Sequence, residues 1–285
     1  MIRRRTLLAS AGLGAVSLVL SACSGTAAPA SSSSGSAAAT GPASLKTVTA
    51  GRLTVATGQP AYSPWVEDNK PESGKGFESA VTYAVAKQLG YAASDVVWAR
   101  SSFDSAITPG AKAWDLNIQQ FSITADREKV VDFSSPYYTT TQAVVTTKGS
   151  KADGVTTLAG LKGLKIGVAT GTTSYTIVNS RIGQPAVFSS VDDAVQALKT
   201  KQVDAVVTDL PGAYYIAGST LDDGVVSAQF AESTEGGDKF AYVLPKGSAL
   251  TSPVSAAIDA ITKSGELKEI TDKWLSSEVN VPVLT

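Results

Sequence analysis

Histidine is absent, cysteine occurs once, and charge is nearly balanced, with 24 Lys+Arg against 25 Asp+Glu in 285 residues. Without histidine there is no Ser-His-Asp or Cys-His machinery and no His-ligated zinc or iron. A single cysteine excludes internal disulfides, cysteine-rich metal knots and iron–sulfur clusters. A formal net charge of −1 offers no basic face to nucleic acid. No metal and no cofactor is expected, so any chemistry must rest on carboxylates, Lys, Ser/Thr or Tyr. What is present is apolar material, 43% of the chain, enough at this length for one large domain or two ordinary ones.

The amino-terminal segment reads as an address. Arg3, Arg4 and Arg5 precede an uncharged run from Thr6 to Ala22, too short and wrongly flanked for a membrane span. The run ends Leu20-Ser21-Ala22-Cys23, which resembles a bacterial lipobox, so residues 1–22 are expected to be a signal peptide and Cys23 the lipidated residue. The arginines followed by Leu7 and Leu8 suit general secretory and twin-arginine export alike. Removing residues 1–22 takes away three arginines and no acid, which moves the formal charge from −1 to −4. From Ser24 to Ser44 every residue is Ser, Ala, Gly, Thr or Pro. Such a stretch buries nothing, and residues 23–45 are expected to be a lipid anchor and disordered tether spanning about 25 Å.

The body alternates strand and helix. Leu53–Thr57 is a β-rich run ended by Gly58, and Phe77, Val81, Val85 and Leu89 form a helical stripe ended by Gly90. Strands are expected at 96–98 and 115–118, then again at 164–168 and 204–208, with helices at 172–180 and 192–201. Two helices close the chain around Gly265. The rhythm predicts an α/β fold with mainly parallel sheets covered by helices.

Several segments carry candidate chemistry. Arg127 offers a planar fork of donors suited to a carboxylate, or it is a solvated arginine beside Asp126 and Glu128. Gly171-Thr172-Thr173-Ser174 follows a strand and opens a helix, which makes it either an anion-binding turn or an ordinary N-cap. Asp209 ends an apolar strand, where a carboxylate points at the crevice of an α/β sheet or caps the next helix.

Taken together, Gly76-Phe77-Glu78, Phe103-Asp104-Ser105, the run from Ser122 to Tyr138, the Gly171 turn and Asp204–Asp209 resemble the polar amino-acid-binding family of ABC-transporter solute-binding proteins. The resemblance covers about residues 46–277. It implies two α/β lobes joined by a hinge and closing on a ligand, a type II periplasmic-binding-protein-like fold. Lobe 1 would hold residues 46–137 and 241–285, and lobe 2 residues 142–236. It further implies that Arg127 and Ser122 bind the ligand's α-carboxylate, with Thr173 and Thr172 opposite in the second lobe. Asp209 would take the α-ammonium, helped at the position of Gln120 by a backbone carbonyl or hydroxyl. Tyr62, Trp65 and Phe103 fall where the family walls the ligand's side chain, Trp65 with core packing as its alternative; Trp98, Trp114 and Trp274 read as packing. No acid other than Asp209 is expected on the cleft.

The implied protein is a monomeric, lipid-anchored receptor on the outer face of the cell membrane or in the periplasm, handing a free amino acid to an ABC permease, and not an enzyme. Gly58 and Ala169 stand where relatives often carry a polar handle, which predicts a neutral polar ligand, then a basic one, with an acidic one last. Glu67 and Asp68 would tilt the order toward a cation if their loop covers the cleft. The alternatives are a cyclohexadienyl-type dehydratase and a sensor lipoprotein on the same fold.

Overall fold

The computed structural model describes residues 42–231, 238–275 and 281–285. The proposed signal peptide and Cys23 lie outside them. Among the described residues no helix is long and apolar enough to cross a membrane.

The chain runs β1 (Leu53–Thr57), α1 (Phe77–Gln88), β2 (Val96–Arg100), α2 (Phe103–Ile107), β3 (Leu116–Asn117), α3 (Ala125–Glu128), β4 (Val131–Phe133) and β5 (Tyr138–Thr140). It continues through β6 (Gln142–Thr147), α4 (Leu158–Leu161), β7 (Ile166–Ala169), α5 (Thr173–Arg181), β8 (Ala186–Phe188), α6 (Val191–Lys199), β9 (Ala205–Asp209), α7 (Leu210–Tyr215) and β10 (Gly224–Gln229). It returns by β11 (Asp238–Phe240) and β12 (Val243–Pro245) and ends in α8 (Thr251–Ser264) and α9 (Glu266–Trp274).

Two five-stranded sheets form, each the centre of one lobe, in the orders β2-β1-β3-β12-β4 and β10-β6-β9-β7-β8. β1 is parallel to β2 and β3, and β7 is parallel to β8 and β9. The expected parallel character holds for those pairs. It fails for β12 and β6, which run antiparallel to their neighbours because each enters its sheet from the other lobe. β5 and β11 pair antiparallel as a two-stranded ribbon, Tyr138 opposite Phe240 and Thr140 opposite Asp238. That ribbon carries both crossings between the lobes.

Every residue of β1 is buried, as a strand covered on both faces requires. One face packs Leu53 and Val55 with Phe77, Val81 and Val85 of α1 and Val254, Ile258 and Ile261 of α8. The other packs Ala56 with Trp114, Phe121 and Val243. Trp65 joins the first cluster edge-on to Phe77, Tyr138 and Phe240, and Trp98 and Trp274 pack against it, so the four tryptophans do pack.

Two expected boundaries need correction. Pro42–Ser44 form a short 3₁₀ turn and Leu45 packs on the first lobe, so the tether ends before residue 45, where the first large apolar side chain finds a core. Residues 281–285 do not belong to lobe 1. Val283 bridges Gln229, Leu284 is buried in the second lobe's core, and Leu158 donates its N–H to the Thr285 oxygen.

Candidate functional site

A cavity of about 560 Å³ separates the lobes, within the range of small-molecule sites. Its walls come from the strand ends and helix starts that the α/β topology points at one another. The first lobe contributes the 57–66 loop, the start of α2, Gln119–Ser122 and Arg127; the second contributes 169–174, 189–192 and 208–212.

Arg127 sits in the one-turn helix α3, which Thr124 caps by accepting from the Arg127 N–H. The side chain is buried, 8% exposed. One terminal nitrogen donates to the Ser122 carbonyl at 2.7 Å and the other crosses the cleft to the Gly171 carbonyl at 2.9 Å. Beneath it the Phe103 ring lies 5.3 Å from the guanidinium carbon and stacks on Phe121 at 4.6 Å. Burial lowers the arginine's pKa, while Asp209 and Asp238 oppose that by stabilising its charge. The solvated-arginine alternative is ruled out by this burial.

Gly171 has φ +69°, and a Cβ there would come within 2.9 Å of Asp104 Oδ1 from the opposite lobe. The left-handed φ is what favours glycine there; the exposed Asp104 side chain could move aside. The turn leads into α5, whose N-cap is Thr172: its hydroxyl accepts from Tyr175 N–H and donates to the Ala169 carbonyl at 2.8 Å. Thr172 therefore lines the cavity with its hydroxyl already spent on the helix.

The Thr173 hydroxyl donates to Asp238 Oδ2 at 3.0 Å and lies 3.5 Å from Ser122 Oγ across the cleft. Asp209 precedes α7 without capping it. Its carboxylate turns instead to Gln142, whose amide nitrogen lies 2.6 Å from Asp209 Oδ1 and 2.8 Å from Asp238 Oδ2. Burial, then the neighbouring Asp238, pushes Asp209 up to about 7, although Gln142 and Arg127 both favour its ionised form.

On the first lobe Gln120 adopts φ +52°, and its side chain faces away from solvent into Glu78. Its N–H donates to Glu78 Oε1 at 2.8 Å and its amide to Oε2. The Tyr137 hydroxyl donates to Oε1 as well. Glu78 is fully buried, and desolvation raises it to about 7 despite these three donors. Gln119 packs toward Gly58: a Cβ on that glycine would lie 3.2 Å from the Gln119 amide oxygen and 3.0 Å from the Pro60 carbonyl. The amide thus occupies the space a side chain at residue 58 would need. Arg100 holds this loop by donating to Gly58 O at 2.6 Å and Asn69 Oδ1 at 2.8 Å.

Tyr62 stands at the mouth, 39% exposed, and its hydroxyl donates to Asp192 at the start of α6. Partial burial and that carboxylate raise its pKa. Glu67 and Asp68 do not line the cavity; Glu67 accepts from Ser63 Oγ at 2.9 Å.

All eight ligand-site candidates, Arg127, Ser122, Gln120, Thr172, Thr173, Asp209, Tyr62 and Phe103, border this one cavity. The expectation of a single cleft acid is wrong. Glu78, Asp104, Asp192 and Asp209 all line it, against Arg127 as the basic residue among the described lining. Glu78 belongs to a block that carries the family resemblance, but the sequence gives it no role in the cleft, since an acid in a helix's first turn is explained by the dipole alone. Gln142 left a signal, an amide opening an otherwise apolar strand; Asp238 left none.

The family described as bacterial extracellular solute-binding proteins, family 3, matches residues 53–277. The arginine-binding extracellular protein ArtP of Bacillus subtilis is 29% identical over 225 residues, covering 76% of this chain and 84% of ArtP. An ancestral arginine-binding protein solved with glutamine aligns at a TM-score of 0.66 and 31% identity, over 80% of this chain and all of its own. An ancestral amino-acid-binding protein described as a precursor of cyclohexadienyl dehydratase aligns at 0.66 and 27% identity, over 79% of this chain and 96% of its own. Two α/β lobes, a two-strand hinge ribbon and a match over most of the chain lead to one conclusion: this protein belongs to family 3 of the bacterial extracellular solute-binding proteins.

Proposed function

We propose that the protein is the amino-acid-capturing component of an ABC importer, anchored outside the cell by lipid on Cys23 and acting as a monomer. The observation that carries the reading is a buried guanidinium from one lobe and a half-buried carboxylate from the other, both lining a single cavity. A zwitterion presents the complementary charges. Its α-carboxylate would sit on Arg127 and Ser122, near the first-turn N–H groups of α5, and its α-ammonium on Asp209. Phe103 and Tyr62 would flank the side chain.

For the side chain, Gly58 and Ala169 favour a neutral polar group, as the sequence alone suggests. The four lining carboxylates against one guanidinium move the preference toward a cation, with Asp192 beside Tyr62 at the mouth. We therefore put a basic amino acid first, a neutral polar one second and an acidic one last. Calorimetric titration with L-arginine, L-lysine, L-glutamine and L-glutamate tests the order; tightest binding of glutamate would overturn it, and no heat with any of the twenty amino acids would overturn the receptor reading.

A second reading has one observation in its favour. Glu78 borders the cavity with its pKa raised to about 7, where a general acid or base works best. Against it, Glu78 is fully buried and engaged by Tyr137 and by both donors of Gln120. Sustained turnover of prephenate or arogenate by the purified protein would establish catalysis and defeat pure binding.

A further inference from the structure

We propose that Asp238, on the return strand of the hinge ribbon, sets the hydrogen-bond polarity of the second lobe's wall by taking the Thr173 hydroxyl proton, so that Thr173 meets a ligand as an acceptor and leaves its carboxylate to Arg127. The inference rests on the amino-acid reading of the cleft given above.

The argument is a count of protons. The Gln142 nitrogen has two hydrogens and three acceptors around it: Asp209 Oδ1 at 2.6 Å, Asp238 Oδ2 at 2.8 Å and Thr173 Oγ1 at 3.3 Å. Two carboxylates on one side fix which way the amide faces, and the Gln142 oxygen accepts from Ser174 Oγ on the other. The two shorter contacts use both amide hydrogens. Thr173 Oγ1 and Asp238 Oδ2, 3.0 Å apart, then need a proton between them, and in that pair the hydroxyl is the donor. A hydroxyl carries one proton, so the Thr173 proton is committed to Asp238.

What Thr173 turns toward Ser122 and the cavity is lone-pair density. That surface repels a carboxylate and accepts from an ammonium, which makes it continuous in character with Asp209. Gln142 is 2% exposed and Asp238 8%, so water has little access to break the arrangement. Asp238 acts through Thr173 and Gln142 and is a positioning residue.

The test compares amino acids with the amines that lack only the carboxylate: L-arginine with agmatine, L-lysine with cadaverine, and L-glutamine with 4-aminobutanamide. For the amino acid that binds wild type most tightly, calorimetry gives the ratio of the two dissociation constants, which measures what the carboxylate contributes. Thr173→Val should leave that ratio within about threefold, because its hydroxyl never served the carboxylate. Asp238→Asn should raise the ratio roughly tenfold or more, the worth of a new hydrogen bond to a charged group. The gain should vanish in the Thr173→Val, Asp238→Asn double variant. A tenfold fall of the ratio in Thr173→Val overturns the proposal, and so does a gain that survives in the double variant, since charge alone would then be acting. If Asp238→Asn does not fold, Thr173→Val decides by itself. If wild type binds none of the three amino acids at millimolar concentration, the ligand class proposed above is wrong and this inference falls with it.

Discussion

The Arg127 guanidinium donates to the Gly171 carbonyl at 2.9 Å, a bond that runs from the first lobe to the turn that opens α5 in the second. The same side chain holds the Ser122 carbonyl at 2.7 Å. A ligand carboxylate must therefore share or displace donors that already tie the lobes together, so capture and closure draw on one residue.

Arg127→Ala should weaken binding of the tightest amino acid by about 1.5 to 3.5 decades, the cost of stripping one partner from a buried charge contact. Arg127→Lys should also lose most of the affinity, since an ammonium cannot span the Ser122 and Gly171 oxygens as a planar fork does. Calorimetry reads both. Near-wild-type affinity in the alanine variant would show that the carboxylate does not sit there.

Binding should be pH-dependent through Asp209. In the empty cleft its pKa is about 7, and an ammonium requires the ionised form. Affinity should thus rise with pH between about 5.5 and 7, by at most roughly one decade per unit, and flatten above. Asp209→Asn should abolish that slope. An unchanged slope in the variant would assign the titration to Glu78 or to another group.

Glu78 gives the opposite sign for stability. Its pKa is raised from 4.5 to about 7 in the folded protein, so its contribution to the empty protein is fully present below 4.5 and is lost as pH rises toward 7. The shift corresponds to about 3 kcal/mol at most. Glu78→Gln should be more stable relative to wild type at pH 8 than at pH 4.5, read by tryptophan fluorescence during thermal unfolding. A stability difference independent of pH would mean Glu78 is not held by burial.

Gly76 precedes α1 at φ +97°, and a Cβ there would lie 2.5 Å from the Trp65 carbonyl oxygen and 2.7 Å from Val66 Cα. Gly76→Ala should destabilise by more than about 1 kcal/mol from backbone strain alone, with the clash added. Because Trp65 and Val66 end the loop that lines the cavity, ligand affinity should fall as well. Unchanged melting temperature would contradict the geometry.

Cys23→Ser tests anchoring. The variant should appear as an unprocessed or released form, detected by fractionation and intact mass. Membrane association and mass equal to wild type would defeat the lipoprotein assignment.

Much of the fold is legible in the chain because its signals are local. β1 is where Leu53–Thr57 predicts it, and α1, α5, α6 and β9 lie within one or two residues of their stripes and caps. Thr124, Thr172 and Ser190 each cap a helix with their own side chain, which needs no distant partner. Arg127, the Gly171 turn and Asp209 could be singled out because each sits at a strand end or helix start, and α/β topology gathers such positions at one crevice.

The polarity of the site was decided only by tertiary structure. Asp209 could have capped α7; it turns to Gln142, 67 residues away in sequence. Asp238 meets Gln142 across 96 residues and Thr173 across 65. Glu78 meets Gln120 across 42, which takes an amide that looked free for a ligand. None of these contacts has a period or a spacing: Glu78 and Gln120 meet inside the first lobe, Gln142 and Asp209 face each other across β6 and β9, and Asp238 arrives on the hinge ribbon. Local patterning determines where strands, helices and charged ends fall along the chain; which buried donor serves which acceptor depends on the packing of distant segments, where each proton can be used once.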